Sequence, residues 1–162
     1  HPEKIRYDIA YERAQDALSR LVPEAKAADV AIGIENVWNR FLLSPLETRR
    51  FLDEIGSDYV GMYLDVGNAV YIGYPEQWIE ILGHRIKKLH MSDYRFDQAG
   101  IGAFVDLFAG DVDFPAVAKA IAGIGYDDYI TLEMLPNYKQ FPEVSLYADK
   151  YAMNKIIEMI HL

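Results

Sequence analysis

Four residues of this sequence carry the chemistry of a divalent-cation site: Glu35, Asp65, His90 and Glu133. Each directly follows a short apolar run, in Ile34-Glu35-Asn36, Leu64-Asp65-Val66, Leu89-His90-Met91 and Leu132-Glu133-Met134. Three carboxylates and one imidazole suit a hard or borderline ion such as Mn²⁺, Mg²⁺, Co²⁺ or Zn²⁺. One acid behind a strand is ordinarily a loop residue or a helix cap, and one histidine there is ordinarily structural. The shared register of all four is what points to a site. His1, His84 and His161 lie at a terminus or beyond a helix stop, and none ends a strand.

Elements that would position these residues alternate along the chain. Apolar spacing predicts a helix over Asp8–Ala28, with Pro23 as a kink point. Val30–Ile34 is nearly all apolar, the pattern of a strand buried on both faces. Ser44, Pro45 and Glu47 form a capping box for a helix to about Ile55, stopped by Gly56. Val60–Leu64 is a second strand. Pro75 opens a helix that Gly83 stops, and Ile86–Leu89 is a third strand made less clean by Lys87 and Lys88. After a loop over 91–112, Asp113 caps a helix to about Ile124, and Tyr129–Leu132 is the fourth strand. A turn with Pro136 and Pro142 leads to a last helix over Glu143–Ile160. Strands alternating with helices of this length mean βαβ units and a parallel sheet, in one α/β domain over residues 1–162. Both an open doubly wound sheet and part of a barrel satisfy the pattern. One polar ligand type per strand end favours the barrel, whose strand ends surround a single mouth.

Composition narrows the function classes. The chain has 162 residues, no cysteine and a formal net charge of −9. Disulfide frameworks and thiolate metal sites are excluded, and cytoplasmic residence is expected. The acidic balance argues against a nucleic-acid partner. No apolar run is long enough to span a membrane. The opening His1-Pro2 leads straight into a helix rather than a signal sequence, as expected of a fragment or a processed product.

The sequence resembles the xylose isomerase-like barrel superfamily, within its sugar phosphate isomerase/epimerase group. The stretches that carry the likeness are GIENVWN (33–39), YLDVGNAVYIGYPEQWI (63–79), RIKKLHMSD (85–93), GDVDFPAV (110–117) and YDDYITLEM (126–134). The resemblance implies the last four strands of a (β/α)8 barrel, as a half-barrel or fragment. It implies Glu35, Asp65, His90 and Glu133 as metal ligands, with Glu35 and Glu133 also the acid/base pair. Asn68 stands where relatives akin to ketose 3-epimerases often carry a substrate-binding histidine. Two departures lie near the expected mouth: His90-Met91-Ser92-Asp93 replaces H-x-K-D, and Phe108-Ala109-Gly110 replaces G-x-G.

The expected activity is isomerisation or epimerisation of a sugar or sugar phosphate by proton transfer beside a carbonyl, through an enediolate. Asn68, Arg95 and Trp38 are candidate substrate contacts, with Lys88 and Tyr71 behind them. Four strands cannot close a barrel, so a homodimer that completes it is a further expectation. Three alternatives stay open at this level. One is a non-catalytic half-barrel that binds metal or a partner. Another is an inosose dehydratase-like lyase. The last is an apurinic-site endonuclease, disfavoured by the acidic charge and the single strand-end histidine.

Overall fold

A computed structural model of the protein describes residues 4–135 and 138–162. The elements are α1 (Tyr7–Ala28), β1 (Ile32–Glu35), α2 (Pro45–Ile55), β2 (Val60–Asp65), α3 (Val66–Ile72), α4 (Pro75–Leu82), β3 (Ile86–Met91), β4 (Asp93–Tyr94), β5 (Phe104–Val105), α5 (Phe114–Gly123), β6 (Ile130–Leu132) and α6 (Glu143–Ile160). His1 and the turn at Pro136 lie outside the described residues.

Local chemistry sets most helix ends. The Ser44 side chain accepts from the Glu47 N–H at 3.2 Å, Pro45 stands at the first helical position, and Gly56 closes α2 at φ 64°. The Glu47 carboxylate reaches back to the Leu43 N–H at 2.9 Å, one residue beyond the usual partner in a capping box. Asp113 caps α5 by accepting from the Ala116 N–H at 3.0 Å. Pro23 sits within α1, which continues past it to Ala28.

Strands β1, β2, β3 and β6 form one parallel sheet in the order β1-β2-β3-β6. Side chains alternate between its two faces. One face sends Met62, Leu64, Leu89 and Met91 into a core shared with Phe51, Leu52, Trp78, Ile79, Leu82, Val117, Ile121 and Ile156. By the same alternation the opposite face carries Glu35, Tyr63, Asp65, Lys88, His90, Thr131 and Glu133. Tyr63 confirms the sharing, because its ring lies 4.0 Å from that of His90 and its hydroxyl donates to Thr131 Oγ1 at 3.0 Å.

Several expectations are corrected. The first strand begins at Ile32 rather than Val30 and is half-buried rather than buried on both faces. Its place at the sheet edge is the reason: only β2 pairs with it, so one side and the polar face stay open. The third strand runs on through His90 and Met91, carried by its pairing with β6. Lys88 interrupts the apolar pattern because it lies on the polar face, where it pairs with Asp128 over the Tyr129 ring. The segment after Asp65, for which no element was expected, is the short helix α3, which carries Tyr71. The 91–112 loop contains the antiparallel β4–β5 pair. Asp93 holds that loop by accepting from the N–H groups of Tyr94 (2.9 Å), Gly110 (2.9 Å) and Val112 (3.2 Å). Burial raises the Asp93 carboxyl above its ordinary range, and these donors oppose the rise. No described helix is long and apolar enough to cross a membrane.

Candidate metal centre

Glu35 is the last residue of β1, Asp65 the last of β2, His90 the fifth of β3's six, and Glu133 the first after β6. The parallel register places Asp65 opposite His90. The Glu133 N–H donates to the Met91 carbonyl at 2.9 Å, which extends the β3–β6 ladder to that residue. Four strands thus deliver four polar side chains to one end of the sheet.

The carboxylates gather around a single imidazole nitrogen. His90 Nδ1 lies 2.8 Å from Glu133 Oε2, 3.1 Å from Glu35 Oε1 and 3.9 Å from Asp65 Oδ2. One ligand atom from each of the four residues falls within 4.8 Å of every other. Around an ion at a metal–ligand distance near 2.1 Å, neighbouring ligands stand about 3.0–3.4 Å apart and opposed ones about 4.2 Å, so small side-chain shifts, outward from His90 at Glu133 and inward across the widest pair, would seat an ion. The donor set fits a divalent cation by number, charge and spacing.

Asp65 is the buried member. Its side chain is 1% exposed, against 16% for His90, 34% for Glu35 and 52% for Glu133. Burial, the largest cause, pushes its carboxyl up to about 8, with Glu133 adding to the rise and the Asn68 N–H and Ser92 hydroxyl opposing it. Its surroundings fix it in place. Asn36 donates to the Asp65 carbonyl and accepts from the Asp65 N–H, both at 2.8 Å, so its side-chain amide acts as an added rung between β1 and β2. Asp65 also caps α3 through the Asn68 N–H at 2.5 Å.

A cleft of about 300 Å³ opens beside these side chains, lined by Glu35, Asp65, Glu133, Asn68 and an apolar wall that includes Trp38 and Phe104. Trp38 stacks on Phe104 at 5.4 Å, lies 4.8 Å from Tyr71 and donates from Nε1 to the Asn68 carbonyl at 3.4 Å. Of the sequence candidates, the structure brings Glu35, Asp65, Asn68, Trp38 and Glu133 to this cleft, while His90 touches the carboxylates without lining it. Arg95 is not in the lining: its guanidinium pairs with Asp97 at 2.6 Å. Lys88 is also engaged elsewhere. Sequence reasoning passed over Asn36, Ile101, Phe104, Met134 and Leu135, and read Ser92 only as a departure from H-x-K-D. Asn36 and Met134 sit next to candidate ligands and were findable by adjacency. Phe104 and Ile101 come from the β4–β5 excursion, which carries no periodic signal.

A family model described as xylose isomerase-like TIM barrel matches residues 1–152. The uncharacterized protein MJ1311 of Methanocaldococcus jannaschii is 30% identical over 125 residues, covering 72% of this chain and 41% of that protein. The L-ribulose 3-epimerase of Mesorhizobium japonicum is 27% identical over 128 residues, covering 76% of this chain and 40% of that enzyme. Among solved structures, the IOLI protein with a binding zinc atom matches with a TM-score of 0.79 at 20% identity, over 97% of this chain and 59% of that one. D-Psicose 3-epimerase from Clostridium cellulolyticum H10, solved with D-tagatose, matches with a TM-score of 0.77 at 14% identity, over 99% of this chain and 60% of that one. The chain spans about two fifths of the length of the curated relatives it matches, and its four-stranded parallel sheet corresponds to part of their barrel.

Proposed function

Because the chain belongs to the xylose isomerase-like TIM barrel family, we propose that it supplies the metal centre and the acid/base pair of a divalent-metal-dependent sugar isomerase or epimerase. The observation that carries this reading is the convergence of four ligand atoms, one from each of four parallel strands, to within 4.8 Å of one another. Glu35, Asp65, His90 and Glu133 would hold the cation, for which Mn²⁺, Mg²⁺, Co²⁺ and Zn²⁺ are all suitable. Bound there, it supplies Lewis-acid stabilisation of negative charge on the oxygens of a sugar carbonyl and its neighbouring hydroxyl.

Exposure divides the work among the four. Asp65 and His90 are the enclosed pair, suited to holding an ion. Glu35 and Glu133 come from opposite edges of the sheet and keep a third and a half of their side-chain surface open. A sugar lying between them exposes opposite faces of its reacting carbon to the two carboxylates. One takes the proton beside the carbonyl, leaving an enediolate, and the other returns a proton from the far side. The Asn68 side chain is available to substrate hydroxyls and the Trp38 ring to an apolar sugar face. Arg95 would serve only by leaving Asp97.

The edges at β1 and β6 have no strand partner among the described residues. They support completion of the barrel by a further sheet, from a second copy of this chain or from other strands of the same protein. The test of the reaction is Glu133→Gln in the protein with its barrel complete. Conversion of the substrate, followed by NMR in deuterated water, is expected to stop, because the face that Glu133 serves can neither lose nor regain its proton. Undiminished conversion removes Glu133 from the acid/base role.

A further inference from the structure

Ser92 is 2% exposed and lies between β3 and β4, two residues beyond His90. Its hydroxyl stands 2.9 Å from Asp65 Oδ1 and 3.0 Å from Asp65 Oδ2. It also accepts from the Gly67 N–H at 3.0 Å. An amide N–H can only donate, so the single hydroxyl proton is left to face the Asp65 carboxylate. The serine therefore bridges the start of α3 and the buried ligand in one fixed sense.

Gly67 makes room for this contact. A Cβ placed there would lie 2.4 Å from Ser92 Oγ and 3.1 Å from Phe104 Cε1. Any larger residue at 67 would push the hydroxyl off the carboxylate or displace the wall of the cleft. Asp65, Gly67 and Ser92 thus form one packed unit, although 65 and 92 are far apart in the chain.

We propose that Ser92 is a positioning residue of the metal centre: its hydroxyl, admitted by the bare Cα of Gly67, fixes the rotation of the Asp65 carboxylate so that Oδ2 faces His90. The inference rests on the metal-centre reading above. Oδ1 is already engaged by the Asn68 N–H. With Ser92 spanning both oxygens, the carboxylate plane cannot turn without breaking one of these bonds. Partners that orient a ligand in this way typically contribute a factor of about 10 to 100 in metal affinity.

The experiment is a Co²⁺ titration of the intact protein, read by calorimetry and by the visible absorption of the bound ion. Ser92→Ala is expected to weaken Co²⁺ binding by about 10- to 100-fold and to change the absorption bands. Gly67→Ala is expected to do the same by displacing the hydroxyl. The double variant should then lose no more than Ser92→Ala alone, because the two changes act on one contact. Should Ser92→Ala not fold, Gly67→Ala carries the same reading. A serine that only stabilises the fold would lower the thermal midpoint of the metal-free protein and leave affinity and spectrum alone; that result overturns the proposal while the metal centre stands. A wild-type protein that binds no divalent ion overturns both.

Discussion

Removing the Asn36 side chain tests how the ligand end of the sheet is built. Asn36 is 7% exposed and makes two hydrogen bonds to the backbone of a single residue, Asp65, each at 2.8 Å. Asn36→Ala deletes both partners and leaves the buried Asp65 N–H unpaired, while the Asp65 carbonyl, at the N-cap of α3, keeps the first bond of that helix. An unpaired buried N–H costs about 1–3 kcal/mol, less where water can enter from the adjoining cleft. The expected loss is therefore about 1–3 kcal/mol, and at roughly 2–4 °C per kcal/mol for a chain of this size the thermal midpoint falls by roughly 2–12 °C. Asn36→Asp separates the two bonds. It can still accept from the Asp65 N–H, but it sets a carboxylate oxygen against the Asp65 carbonyl. It should be at least as damaging at neutral pH and should recover in acid, where a protonated carboxyl can donate. Urea unfolding of the wild type and both variants, with a chelator present, measures these differences. An Asn36→Ala protein within about 0.5 kcal/mol of the wild type would refute the rung between β1 and β2.

Two further outcomes follow from buried acids. Asp149 accepts from the Leu107 N–H at 2.8 Å, but its second oxygen and the Ser145 hydroxyl, one turn earlier on α6, are both buried with no hydrogen-bond partner among the described residues. Asp149→Asn keeps the acceptor and removes a buried charge that Asp106 and Asp93 disfavour, so it should stabilise by about 1 kcal/mol in chemical denaturation, and a loss of stability would count against this account. Asp65, pushed up to about 8 by burial, holds a proton in the folded metal-free chain that the unfolded chain releases nearer pH 4. Its contribution to metal-free stability should therefore decline as pH rises from about 4 to 8 and then level off, and bound cation should remove the decline. The thermal midpoint against pH, relative to Asp65→Asn, with and without Mn²⁺, checks the sign; a contribution that rises with pH in the metal-free protein would refute it.

What could be read from the sequence was mostly what local chemistry decides. Ser44, Pro45 and Gly56 fix the ends of α2 within a few residues of themselves, and Pro75 and Asp113 open α4 and α5 in the same way. The four candidate ligands were legible because each ends an apolar run, and parallel pairing brings the strand ends to one edge of the sheet, with Asp65 opposite His90 and the two glutamates staggered by two residues. Partnerships across the chain were not legible. Nothing near Asn36 reveals that its amide will bond the backbone of Asp65, and nothing near Gly67 reveals that its missing Cβ makes room for Ser92. The β4–β5 pair consists of two-residue strands, too short for any alternation to register. The half-burial of β1 depends on its place at the rim, which periodicity does not encode.

The rung order has a mechanical corollary. Glu35 and Glu133 hang from the two outermost strands, and His90 and Asp65 from the two between. An ion gripped by all four would act as a rivet driven through every layer of the ribbon, so that peeling away either border strand must first tear out a ligand. Hydrogen exchange at the borders should then slow when the ion is loaded, and a chelator should loosen β1 and β6 before it loosens β2.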